Sequence, residues 1–128
     1  MKLLLDTHLL LWTVSQSRRL SSEARELIGD PDNELLFSIA SLWEVAIKQS
    51  LGREDFRIDL RLLRRGLLDN NFEQLSITAE HTLTLADLPM LHRDPFDRML
   101  VAQSIVEGII LLTADPVIAR YPAPVTKV

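Results

Sequence analysis

Short runs that are apolar at almost every position alternate along this chain with longer amphipathic segments. Leu3-Leu4-Leu5, Leu35-Leu36-Phe37 and Ile109-Ile110-Leu111-Leu112-Thr113 have no polar face. A strand with one side in water alternates apolar and polar residues, whereas a strand apolar throughout needs cover on both faces. The segments between them carry helical signals: Ser21 or Ser22 ahead of Glu23 and Glu26, an end at Gly29-Asp30-Pro31, and stops at Gly52 and Gly108. Helices are expected at residues 8–15, 22–29, 38–51, 59–70, 78–87 and 94–107, with a helical turn after Asp115-Pro116. Strands are expected at 2–5, 35–37, 75–77, 109–113 and 125–128. This alternation implies an α/β fold: three layers, α/β/α, around a mainly parallel sheet of four or five short strands. No repeat, low-complexity tract or linker interrupts it, so 1–128 reads as a single domain.

Composition narrows the chemistry. Among 128 residues there is no cysteine, which removes disulfides and thiolate zinc sites. The three histidines, His8, His81 and His92, are scattered. The apolar start is broken by Asp6 and His8 and lacks a small-residue cleavage site, unlike a signal peptide. No apolar run reaches the roughly 20 residues of a membrane span, so a cytoplasmic protein is expected. A net charge of −4 speaks against a sequence-blind nucleic-acid coat, which is normally basic. It is compatible with an acidic pocket that holds a cation.

Four acids stand where strand gives way to helix or inside the helix that follows: Asp6, Glu44, Asp97 and Asp115. In an open parallel sheet such turns gather along the edge where ligands bind. Each also has a structural reading. Ser41-Leu42-Trp43-Glu44 fits a capping box. Asp94-Pro95-Phe96-Asp97 and Asp115-Pro116 have the form of helix starts. Glu44 decides between these readings. If its helix begins at Ser38, Glu44 lies mid-helix on a stripe with Ala40, Ile47 and Leu51, where a carboxylate is costly unless paired or bound to a cation. Asp6 ends a buried strand and has a weaker capping reading. Together these acids imply a hard divalent ion with oxygen ligands, acting on phosphate esters.

Leu4-Leu5-Asp6-Thr7-His8, residues 38–48 (SIASLWEVAIK), residues 92–103 (HRDPFDRMLVAQ) and Leu112-Thr113-Ala114-Asp115 resemble, in order and spacing, the PIN-domain nucleases, and within them the VapC-type toxins of toxin–antitoxin pairs. The resemblance implies a ribonuclease using Mg²⁺ or Mn²⁺, held by Asp6, Glu44, Asp97 and Asp115. In the family's pattern the ligand Asp stands five residues before the position of Ala102, so the resemblance implies Asp97 for that role and leaves Asp94 as a helix cap and neighbour. Mg²⁺ takes only one or two direct carboxylates; Asp6 and Asp97 are expected to supply them, with Glu44 and Asp115 holding water and Glu44 a candidate general base. Thr7 and Thr113 are hydroxyls at the same edge, available to a carboxylate or phosphate. His92, Arg93 and Arg98 flank the block and are expected near substrate or the Asp97 carboxylate.

Arg57, Arg61, Arg64 and Arg65 fall on one helical face by spacing, either a solvated face paired to Glu54 or Asp69 or a phosphate track for RNA. Trp12 and Trp43 read as core or interface. The resemblance also implies an antitoxin, expected as an amphipathic segment laid near Leu9, Leu10, Trp12 and Trp43, and a homodimer. The competing readings are a non-catalytic module that only binds RNA or antitoxin, and a phosphorelay receiver with Lys127 as its late lysine. The receiver reading lacks paired acids after the first strand and an Asp after the third. Dinucleotide binding is excluded by the lack of Gly-x-Gly after the first strand.

Overall fold

The computed structural model describes residues 1–128. In chain order its elements are β1 (Lys2–Leu5), α1 (Thr7–Val14), α2 (Ser22–Gly29), β2 (Glu34–Ser38), α3 (Ile39–Ser50), a 3₁₀ turn (Glu54–Phe56), α4 (Leu60–Asp69), β3 (Glu73–Leu75), α5 (Ala79–Asp87), α6 (Pro95–Glu107), β4 (Ile110–Thr113), a second 3₁₀ turn (Ile118–Arg120) and β5 (Val125–Lys127). The five strands form one sheet in the order β3-β2-β1-β4-β5, and every pairing is parallel. The strand pleat explains why the runs are apolar throughout. Leu3, Leu5, Phe37 and Leu112 face a core shared with Leu9, Leu10, Leu63 and Leu67. Leu4, Leu36 and Leu111 face a second core with Met99, Leu100, Val101 and Tyr121. Helices α1, α2 and α4 therefore cover one face and α6 the other, while α3 reaches both cores through Val45 and Ala40. No helix is long and apolar enough to cross a membrane.

Each helix starts on a side chain that accepts a hydrogen bond from a free backbone N–H: Asp6, Ser21, Ser38, Asp59, Thr78 and Asp94 in turn. Pro95 adds a fixed φ at the first position of α6, and Gly108 ends that helix in the left-handed region at φ +65°.

Several expectations shift. The third strand is Glu73–Leu75 rather than 75–77, because its partner β2 ends at Ser38, opposite Leu75, and offers nothing further to pair with. There is no capping box at Ser41–Glu44: Ser38 caps α3 through the Ala40 N–H, which puts Glu44 inside the helix. Asp6 does cap a helix, accepting from the Leu9 N–H at 2.9 Å. Arg57 lies ahead of α4 and not on its face. The receiver reading also fails on topology, since a receiver sheet runs 2-1-3-4-5 and this one runs 3-2-1-4-5.

Candidate metal centre

Parallel strands share a C-terminal edge, and strand order reverses between β1 and β4, which makes a crevice there. Asp6 leaves β1 and Asp115 follows β4 at that crevice. The main chains are joined by the Asp6 N–H donating to the Leu112 carbonyl at 3.0 Å. Thr113 Oγ1 donates to Asp6 Oδ2 at 2.5 Å, while Oδ1 holds the α1 cap. Asp6 is 4% exposed, and burial pushes its carboxyl above the usual range despite these donors.

Asp97 occupies the third position of α6, aimed at the edge by the cap that Asp94 provides. Asp94 Oδ1 accepts from the N–H groups of Phe96 at 2.8 Å and Asp97 at 3.1 Å. Burial, and then the charges of Asp94, Glu44, Asp6 and Asp115, push the Asp97 carboxyl up to about 8. Those causes identify the cluster: Glu44, Asp6 and Asp115 all lie close enough to Asp97 to disfavour its ionisation. Asp115 goes the other way. Burial raises it, but the Val117 N–H, the His92 ring and the Ile118 N–H outweigh burial and leave it below its ordinary value.

Glu44 is 1% exposed. Its Oε2 pairs with Lys48 Nζ at 2.5 Å, one helical turn on, and Lys48 also lies 3.5 Å from Asp94 Oδ2. Burial depresses the Lys48 ammonium, but Glu44 and Asp94 outweigh it and hold it above its usual value. The other oxygen of Glu44, Oε1, is buried without any partner. A carboxylate oxygen in that state costs free energy unless a cation or water meets it. Together with an all-oxygen donor set, that orphan fits a hard divalent ion.

His92 Nδ1 accepts the Asp94 N–H at 3.0 Å, which leaves Nε2 as the ring's donor. Nε2 lies 3.0 Å from Asp115 Oδ2 and 3.3 Å from Asp97 Oδ2. His92, Asp97 and Asp115 bring their ligating atoms within 4.8 Å of one another. In this tautomer His92 bridges the two carboxylates as a donor and offers no lone pair to a metal. The charges of Asp6 and Glu44 reach Asp97 as that of Asp115 does, so all three stand around its carboxyl.

The remaining predicted residues separate. Thr7 is buried and donates to Ser41 Oγ at 2.9 Å, so it ties α1 to α3 and faces no ligand. Arg98 Nη2 donates to the Leu85 and Leu88 carbonyls at the end of α5, away from the acids. Arg93 is exposed. Arg57 pairs loosely with Glu54 at 3.5 Å, Arg64 donates to Gln74, and Arg61 and Arg65 are exposed on α4. Leu9 and Leu10 are core, while Trp43 stays 55% exposed against the edge of Phe96. Lys48 was missed, although its i+4 spacing from Glu44 is a legible pairing signal. Ser41 gave no signal, because its partner is 34 residues away.

The model of the family described as "PIN domain" matches residues 3–124. Ribonuclease VapC22 of Mycobacterium tuberculosis is 31% identical over 126 residues, covering 96% of this chain and 95% of that protein. Among solved structures, VapBC2 from Rickettsia felis bound to a promoter DNA fragment superposes with TM-score 0.73 at 17% identity, covering 99% of this chain and 98% of the other. A toxin–antitoxin complex from Klebsiella pneumoniae gives 0.64 at 20%, covering 97% and 95%. At those identities the structures speak for the fold alone.

Proposed function

This chain belongs to the PIN-domain family, and from that premise we propose that 1–128 is a single metal-dependent endoribonuclease domain, the toxin of a toxin–antitoxin pair. The 31% identity to a named ribonuclease across nearly the whole chain supports the RNA substrate. The observation that carries the metal-dependent chemistry is the buried, unpartnered Glu44 Oε1 among mutually repelling carboxylates.

Asp6, Asp97 and Asp115 would hold Mg²⁺ or Mn²⁺ through carboxylate oxygens, with Glu44 beside them. A bound ion of this kind acidifies water and neutralises charge on a phosphodiester. The protein's own part is positioning. Thr113 fixes the rotamer of Asp6, the Asp94 cap aims Asp97, and the Val117 N–H aims Asp115. Lys48 holds Glu44 by Oε2, so that Oε1 stays free as an acceptor for the proton of an attacking water. The product is an RNA cut at a phosphodiester by hydrolysis.

The solved toxin–antitoxin complexes of the same fold support an antitoxin partner. Trp43, Ile47 and Leu51 leave an apolar stripe exposed along α3, which supports a homodimer about a two-fold axis. Purified protein incubated with total RNA, with Mg²⁺ or Mn²⁺ and with chelator, tests the reading by mapping of the new ends. Absence of metal-dependent ends would refute it and favour a module that only binds RNA or antitoxin.

A further inference from the structure

A hollow of about 280 Å³ opens directly against the acids, lined by Asp6, Asp115, Ala114, His8, Trp12 and Arg19. A second, of about 310 Å³, shares His8, Trp12 and Arg19 with it and continues to Arg57. The shared wall is aromatic and cationic. The His8 and Trp12 rings stand 6.0 Å apart, and His8 meets Phe56 edge-on at 5.9 Å. Trp12 is only partly buried: it packs on the core below and lines both hollows above. Arg19 is exposed and makes no ion pair, in contrast to Arg53 and Arg57 nearby, which each have a carboxylate partner.

We infer that this hollow seats one unpaired nucleotide of the RNA strand next to the scissile phosphate, its base against Trp12 and His8 and its phosphate on Arg19. The inference rests on the nuclease reading. An aromatic side chain beside an unpaired guanidinium matches a base and its phosphate, and single-stranded RNA presents the base that a duplex hides. Contact with Asp6 and Asp115 makes the occupant a neighbour of whatever phosphate lies at the acids. An apolar peptide would strand Arg19 and both carboxylates. His8, Trp12 and Arg19 become specificity-determining residues, and Trp12 takes a role beyond the core or interface position its sequence implied.

The test is fluorescence anisotropy with a labelled eight-nucleotide single-stranded RNA in Ca²⁺, a hard ion that carboxylates bind. Trp12→Leu should weaken binding about 5- to 100-fold, the worth of one stacked base, while Trp12→Phe stays within about threefold. Arg19→Gln, an exposed position where folding is not at risk, should weaken binding and reduce the salt slope by about one. An abasic nucleotide walked along the RNA should cost affinity at one position in the wild type and nothing at that position in Trp12→Leu. Unchanged affinity in both Trp12→Leu and Arg19→Gln, or no RNA binding by the wild type, would overturn the inference. So would variants that lose the antitoxin and keep RNA. Cleavage of the same RNA in Mn²⁺ is scored separately: binding with these losses but no cleavage would sink the nuclease reading and leave the subsite standing.

Discussion

Helix α6 carries two buried polar clusters, and they are built on opposite terms. Toward its C-terminal half, Gln103 Oε1 accepts from Ser38 Oγ at 2.6 Å and Gln103 Nε2 reaches the Ser76 carbonyl at 3.5 Å. His81, fully buried, accepts the Thr78 N–H on Nδ1 and faces Glu107 Oε2 with Nε2 at 2.8 Å. Every buried side-chain polar atom there has a partner. At the N-terminal end His92 uses the same tautomer, Nδ1 accepting from a backbone N–H and Nε2 facing carboxylates. There, however, the acids outnumber the cations and Glu44 Oε1 has no partner. A polar cluster that satisfies itself fixes helices; one left short of positive charge is completed by something from outside. Family membership and helix position alone would not have separated the two.

The sharpest test is to remove charge from the deficient cluster. Asp97→Asn keeps the shape and should cut metal-dependent RNA cleavage about 100- to 1,000-fold, the loss typical of one preorganised electrostatic group. The same change should raise the melting temperature of metal-free protein, because it removes a buried carboxyl that its neighbours repel. Activity within threefold of wild type would break the contrast. Asp6→Asn should behave alike in both readouts.

The pH dependence follows from Asp97 with a definite sign. Its folded-state value, about 8, lies above the 3.8 of the free group. The native state therefore holds a proton that the unfolded chain releases, and stability falls as pH rises between about 4 and about 8. The loss is on the order of a few kcal/mol and is confined to metal-free protein. Melting curves in chelator should decline across that window, Mn²⁺ should restore stability at pH 8 by binding the native state, and Asp97→Asn should flatten the profile.

The self-satisfied cluster should respond in the reverse pattern. Gln103→Ala deletes the partner of Ser38, whose hydroxyl also caps α3, and leaves a small cavity. A cost of about 2–4 kcal/mol in chemical denaturation is expected. Cleavage by the remaining folded protein at 25 °C should stay within a few-fold. A fall in kcat comparable to that of Asp97→Asn would show that the cluster reaches the acids.

How much of this was legible depends on the range of the interaction. The parallel sheet and its double cover followed from Leu3–Leu5 and Ile109–Thr113, since a strand apolar on both sides has few other homes. Caps at Asp59, Thr78 and Asp94 are local and could be read from the chain. The position of Glu44 inside α3 required choosing between Ser38 and Ser41 as the cap, and local signals favoured neither. Arg98 looked like a site residue because it follows Asp97 directly, yet one step along a helix turns a side chain to another face, and it serves the carbonyls of α5. Thr7–Ser41, Ser38–Gln103 and His92–Asp115 join residues 34, 65 and 23 apart. Such pairs come from the crossovers and leave no mark in spacing.

Asp94 offers the smallest effect and the finest cut, because its two oxygens serve different clusters of interactions. Oδ1 caps α6, and Oδ2 lies 3.5 Å from Lys48. After burial, its charge is the largest cause that pushes the Asp97 carboxyl up. Asp94→Ala loses both functions and should cost about 0.5–2 kcal/mol, the usual worth of an N-cap. Asp94→Asn keeps the cap, since Asn and Asp cap equally well, and removes only the charge. Its denaturation midpoint at pH 5, where Asp97 is already neutral, should stay close to wild type. At pH 8 in chelator Asp94→Asn should be the more stable protein, because Asp97 then ionises against one fewer neighbour. Cleavage should change by only a few-fold, because Lys48 keeps its contact with Glu44. If Asp94→Asn instead abolishes cleavage with metal saturating, Asp94 belongs among the residues that hold the ion, and the boundary drawn here between helix cap and metal centre is in the wrong place.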